Sequence, residues 1–325
     1  MLFSYRKPYI KMKSEHKQNV TEFSIQGLTD IPEFQIPIFL LFLISYIVVL
    51  LANMAIIVVI LSDSQLHTPM YILLLNLSLT DIVNVSDILP KVLNILLTRH
   101  KTVYLVGCIT QMYIFVSLTL IEMLILSAMA YDRYVAICHP LHYFIFMSLR
   151  HTLAFAVASW TIGFLDPTGH AVLMSRLSFC KSHLIDHFFC DVTPLLKISC
   201  SDTFKIEMLT YVEGTLIDIP AFLLTFFSYV FIVSSILKIQ TSEGRKKAFS
   251  TCTSHLTCVT LFYVTLISLY MRPTSSLSLK NNKFFSLIYV VLIPMLNPVI
   301  YTLKNHDVKE ALKKLMNKKV FFRAH

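Results

Sequence analysis

Seven apolar stretches, each long enough to cross a bilayer, constrain this chain more than any other feature. A membrane helix needs about 20 predominantly apolar residues. The stretches run from Pro37 to Leu61, about Met70 to Leu89, Val106 to Ala130, about Thr152 to Leu173, about Met208 to Leu237, about Phe249 to Met271, and Phe284 to Leu303. Only 14% of the 325 residues are charged against 55% hydrophobic, and mean hydropathy is +0.67. Soluble domains carry roughly 25% charge, so the expected fold is an all-α membrane protein, a bundle of seven transmembrane helices. The net charge of +9 is spread along the chain rather than gathered on one face, which argues against a nucleic-acid partner. Met1–Lys17 has no apolar core of the kind a cleaved signal peptide needs, so the first span is expected to direct insertion itself.

With the N-terminus outside, the cytoplasmic segments hold 13 Lys and Arg and the external ones 15. Five of those 15 lie between Arg6 and Lys17, mostly beyond the window of about 15–20 residues in which positive charge orients a span. Without them the balance is 13 inside against 10 outside. Two features agree: Asn19-Val20-Thr21 is a glycosylation acceptor, and Cys180, Cys190 and Cys200 share the loop after the fourth span. The expected division is an extracellular segment 1–36, a receptor domain 37–303 and a cytoplasmic tail 304–325.

Carboxylates are costly in a bilayer, about 2.5–3.5 kcal/mol at a helix centre. Asp81 and Glu122 sit near the middle of their spans, and each needs a partner or a proton; Asp166 and Asp218 lie in two other spans with no role assigned. Glu122 and Arg133 lie 11 residues apart, three helical turns on one face and roughly 16 Å. Asn297 and Tyr301 are spaced i, i+4, and Pro298 between them removes a helix hydrogen bond. Four cysteines, Cys108, Cys180, Cys190 and Cys200, fall on the external side, and spacing leaves all three of their connectivities open. His183 and His187 beside them would also suit a metal, but a disulfide loop fits an oxidising space better.

Several local patterns go further. Leu66-His67-Thr68-Pro69-Met70-Tyr71 precedes the second span, which holds Leu77-Ser78-Leu79-Thr80-Asp81. The third ends in Met129-Ala130-Tyr131-Asp132-Arg133-Tyr134-Val135-Ala136-Ile137-Cys138. Lys247-Ala248-Phe249-Ser250-Thr251-Cys252-Thr253-Ser254-His255-Leu256 opens the sixth, and Pro294-Met295-Leu296-Asn297-Pro298-Val299-Ile300-Tyr301 lies in the seventh. Together these resemble the signature set of vertebrate odorant receptors, a branch of the rhodopsin-like G-protein-coupled receptors, from Asn19 to the tail. Ala52 and Val264 stand where that pattern has glycine, and Asp166 and Asp218 have no counterpart in it.

The resemblance implies a switch made of Asp132, Arg133, Tyr134, Tyr229, His255, Asn297, Pro298 and Tyr301, with Arg133 meeting a G protein and Asp132 restraining it beforehand. It implies an allosteric sodium ion at Asp81 and Glu122, disulfides Cys108–Cys190 and Cys180–Cys200, and a glycan on Asn19. It aims Phe115, Val116, Thr119, Glu213, Gly214, Ile217, Leu266, Ile267, Tyr270 and Leu287 into a ligand pocket, an apolar lining with a few hydroxyls that suits small volatile molecules. The implied partners are an odorant, a stimulatory olfactory G protein that raises cyclic AMP, membrane lipids and trafficking chaperones, at the plasma membrane of sensory cilia.

Beyond Leu303, Val308, Leu312, Leu315 and Met316 recur at helical spacing with Lys309, Lys313 and Lys314 on other faces, an interfacial amphipathic helix. No serine, threonine or cysteine follows Lys304, so regulatory phosphorylation is expected at loop hydroxyls such as Thr241, Ser242 or Ser250. No phosphate-binding glycine loop, metal-spaced histidine motif or nucleophile elbow points to an enzyme. A transporter or channel would also place acids in the membrane, but the spans show no internal repeat.

Overall fold

The structure is a computed structural model that describes residues 22–29, 31–270, 279–303 and 306–323. Helix α1 (Pro32–Ser62) starts with proline at its first position, where the missing N–H costs nothing, and ends at Asp63, whose carboxylate accepts from Gln65 N at 3.0 Å. Helix α2 (Pro69–Thr98) opens the same way, and α3 (Leu105–Cys138) follows. A short α4 (Tyr143–Phe146) precedes α5 (Leu149–Leu165). Pro167 then interrupts the helical ladder before α6 (Thr168–Ser175). Helix α7 (Val192–Ile198) lies in the following loop.

The fifth span is α8 (Phe204–Glu213) and α9 (Ile219–Leu237), joined by a wide π-helical turn at Gly214–Asp218. Next come α10 (Ser242–Tyr270) and then α11 (Leu279–Leu287), which a second π turn, Ile288–Leu292, joins to α12 (Ile293–Leu303). Both wide turns sit just ahead of a proline, Pro220 and Pro294, each of which leaves a carbonyl four residues back without its donor. Helix α13 (His306–Arg323) forms the tail.

Among the described residues six helices are long and apolar enough to cross a membrane, and a seventh span results when Pro140–Phe146 and Leu149–Ser175, bent by 58°, are taken together. The outward faces keep large apolar side chains uncovered, among them Leu51, Leu61 and Leu216, as lipid contact requires. Inside, α5 presses on α3 so closely that a Cβ on Gly163 would overlap Ile121.

One end of the bundle, the outer end, carries a three-stranded sheet that hydrophobic patterning did not announce. Strand β1 (Glu22–Ile25) pairs antiparallel with β2 (Thr102–Tyr104) and parallel with β3 (Leu184–Ile185). Alternation along β1 sends Phe23 and Ile25 into an outer core with Met112, Phe179 and the Cys108–Cys190 bridge. The cysteines pair as Cys108–Cys190 and Cys180–Cys200, and among the described residues Cys138, Cys252 and Cys258 take part in no disulfide.

Candidate functional site

The loop that carries Cys190 and four spans, α3, the fifth, α10 and the seventh, converge near the outer end. From α3 comes Phe115, fully buried, its ring 4.9 Å from Phe189 of the loop and 5.6 Å from Tyr289 of the seventh span. Phe262 of α10 closes the group at 6.0 Å from Tyr289. Such edge-to-face and tilted contacts are the favourable arrangements of aromatic quadrupoles. Val116, Ile217, Leu266 and Leu287 are partly buried against the main helix core that contains these rings, and Gly214 sits half-buried at the wide turn of the fifth span. Ile267 is placed differently: it is 44% exposed, next to the still more exposed Val264 on the same helix. Tyr270 reaches up to the loop, where its hydroxyl donates to Asp191 at 3.3 Å.

Beneath the aromatic group a polar path begins. The Tyr289 hydroxyl lies 3.0 Å from Thr119 Oγ1 and donates to Glu122 Oε2 at 2.9 Å. Glu122 neighbours Asp81, and Asn297 donates to both oxygens of Asp81 at 3.1 and 3.3 Å. Asn53 donates to the Pro294 carbonyl at 3.2 Å, which ties α1 to the same spot. Asp81, Glu122, Asn53 and Asn297 are each no more than 3% exposed. Burying so many polar groups is tolerable only when they satisfy one another or hold an ion. Two acceptors, Glu122 Oε1 and Asn53 Oδ1, have no hydrogen-bond partner among the described residues.

Towards the opposite, inner end of the bundle the contacts become single. Asp132 accepts from the Tyr143 hydroxyl at 2.8 Å and stands 3.7 Å from Arg133 Nε. Tyr134 bonds His139 at 3.0 Å, and Tyr229 bonds His255 Nδ1 at 2.6 Å between α9 and α10. Midway, Ser127, Thr225 and Tyr263 share hydroxyl contacts of 3.1–3.5 Å across three helices. Pro298 lies inside α12. Tyr301 lies on the same helix with its side chain outside the described residues, as do Asn19 and the side chain of Met316. The tail helix buries Val308 and leaves Lys309, Lys313 and Lys314 exposed; Lys314 approaches Asp63 at 3.9 Å.

The two acids without a counterpart in the resemblance belong to one cluster. Asp166 bonds Glu213, Glu213 stands 2.9 Å from His170 Nδ1, and Asp218 faces Glu213 across the wide turn. His170 also bonds Thr210 at 3.0 Å, so the cluster joins the fourth span to the fifth.

In the loop, His187 is buried against Phe188 and bonds Ser286 at 3.3 Å. Burial, with Lys283 nearby, pushes its imidazole down to about 3, so it is neutral. Among the described residues no three His, Cys, Asp or Glu side chains are grouped to hold a metal.

Tyr289, Tyr143, Phe189 and Asp191 escaped the sequence reading. Tyr289 had a signal: it precedes Asn297 by eight residues, a little over two turns, and so shares its face. Asp191 and Phe189 lie in a loop whose path is set by the disulfides and the sheet, which bring together residues far apart in sequence.

The sequence profile described as "Olfactory receptor" matches residues 42–319. Olfactory receptor 5AR1 of Mus musculus is 47% identical over 308 residues, covering 95% of this chain and 99% of the relative. Olfactory receptor 5AR1 of Homo sapiens matches at the same identity and coverage. Olfactory receptor 5B12 of Homo sapiens is 46% identical over 304 residues, covering 94% and 97%.

Proposed function

Since this chain belongs to the olfactory receptor family, whose members are multi-pass receptors and not enzymes, we propose that it binds small volatile molecules among α3, the fifth span, α10 and the seventh span, and couples that binding to a stimulatory olfactory-type G protein. The observation that carries this reading is the unbroken polar path from Thr119 through Tyr289 to Glu122, Asp81 and Asn297. An odorant packing against Phe115 and Thr119 would press on Tyr289 and so alter a buried region where polar side chains of α2, α3 and the seventh span meet. Shifting such a bistable network is how a small local change reaches a distant face. At that face Asp132 holds Arg133 until the cytoplasmic ends separate, and Arg133 then meets the G protein. The N-terminus faces outward in this reading, with Asn19 glycosylated, and α13 lies along the inner leaflet.

A sodium ion fits between Asp81 and Glu122. Two neighbouring buried carboxylates, with the unpartnered oxygens Glu122 Oε1 and Asn53 Oδ1, supply hard oxygen donors. Bound there, the cation would offset the carboxylate charge. Asn297 would keep its hold on Asp81, and Tyr289 its hold on Glu122. The path would then be fixed in its resting arrangement. Replacing sodium by choline in the medium should raise basal signalling in the wild type and leave Asp81→Asn unchanged.

The test of the whole reading is a cyclic-AMP assay in cells supplied with the olfactory G protein, run against a library of volatile odorants. A concentration-dependent response that disappears with Arg133→Ala supports it. Ion flux without G protein would instead favour a channel.

A further inference from the structure

A cavity of about 150 Å³ lies outside the helix core, between the segment after β1, the start of α1 and the end of α2. Its floor is apolar, made by Val92, Leu96 and Phe188, and its rim is polar, with Gln35, Arg99 and Lys101. Space of this size in an apolar wall accommodates a molecule of about six carbons. Phe188 stacks on His187 at 4.8 Å and lies 5.0 Å from Phe189, which covers Phe115. That aromatic layer separates the cavity from the core pocket.

Two features of Arg99 point to a ligand. It is the one non-glycine with positive φ among the described residues, at φ 61° and ψ 9°, closing α2 where glycine or asparagine is the relaxed choice. Strain kept at a helix end, with a cation beside a cavity, is a signature of a used side chain. Arg99 Nε donates to Gln35 at 3.1 Å, and among the described residues no carboxylate pairs with its guanidinium. We propose that the cavity is a second ligand site that takes a short monocarboxylate. Its carboxylate meets Arg99 and its chain of about six carbons lies on Val92, Leu96 and Phe188.

The experiment measures binding of sodium hexanoate and of hexan-1-ol to the full chain in lipid nanodiscs, by calorimetry or saturation-transfer NMR. Hexanoate should bind the wild type at least about tenfold more tightly than hexanol. Arg99→Asn, which keeps a residue suited to the left-handed backbone, and Val92→Phe, which fills the floor, should each weaken hexanoate at least about tenfold. Thr119→Val in the core pocket should leave it unchanged. Arg99→Asn is at an exposed position and carries the test if Val92→Phe fails to fold. Equal affinity for the acid and the alcohol, unchanged affinity in Arg99→Asn, loss of binding in Thr119→Val, or no binding of hexanoate at all would overturn the proposal. None of these readouts depends on G-protein signalling.

Discussion

At the outer end of the bundle, two disulfides and a three-stranded sheet bind the N-terminal segment, the tip of α3 and the long loop into one frame, and Lys283 adds an ion pair of 2.7 Å to Asp186. At the inner end, helices meet through isolated side-chain bonds, Tyr143 to Asp132, Tyr229 to His255, and Cys138 to Ser235 at 3.2 Å. Covalent bridges and backbone ladders resist rearrangement, whereas single side-chain hydrogen bonds are each worth only about 0.5–1.5 kcal/mol. The contrast fits the proposed division of labour, in which a small ligand needs a fixed surround and a face that meets a G protein must be able to open.

The strongest way to break the contrast is to remove its covalent half. The Cys108–Cys190 bridge spans 82 residues of sequence, and losing a native disulfide costs about 2–5 kcal/mol. Cys108→Ser should therefore cut surface receptor at least tenfold, measured by flow cytometry on non-permeabilised cells. Normal surface levels would mean that the sheet alone holds the frame.

The inner end should answer with signalling rather than with expression. Asp132→Asn weakens the hold on Arg133 and the bond from Tyr143, and a loss of about 1 kcal/mol should raise basal cyclic AMP about fivefold at equal surface level. Tyr143→Phe removes only the hydroxyl, so its increase should be smaller, about two- to threefold. A fall in surface expression in place of a rise in basal signal would show that this end is structural too.

The smallest effect concerns pH at the rim. Burial raises the Asp191 carboxyl to about 6, against the bonds from Val192 N–H and Tyr270 that favour its charged form. The folded chain therefore holds this proton more tightly than the unfolded chain. Stability from Asp191 is present at low pH and is lost as pH rises from about 4 through 6, by at most about 3 kcal/mol. Thermal melting at pH 5 and pH 7.5 should show this shift in the wild type and a reduced one in Asp191→Asn. An equal shift in both would remove Asp191 as the cause.

How far these features were legible from sequence differs between the two ends. Apolar length gave the spans, and the motifs around Asp132 and Asn297 marked the inner end, because each sits on one helix at helical spacing. The outer end hides its logic. Strand β1 is four residues long, and its partners lie roughly 80 and 160 residues away, so no local period announces it. The same holds for the His170–Glu213 pair, whose members sit 43 residues apart on different spans. Only the fold brings them together. The first helix begins at Pro32 rather than near Pro37 because proline fits a first turn, which apolar counting ignores. Pro220 and Pro294 were visible, but whether a proline kinks a helix or widens its turn depends on packing around it.

The central claim is that Tyr289 and Glu122 act as one unit between the ligand pocket and the inner switch. A double-mutant cycle with Tyr289→Phe and Glu122→Gln tests it most directly, read as potency of an activating odorant in the cyclic-AMP assay at matched surface expression. If the two groups act through their shared bond, the double variant should lose little more than the stronger single variant, leaving a coupling of about 0.5–3 kcal/mol. Additive losses, with no coupling, would contradict the account.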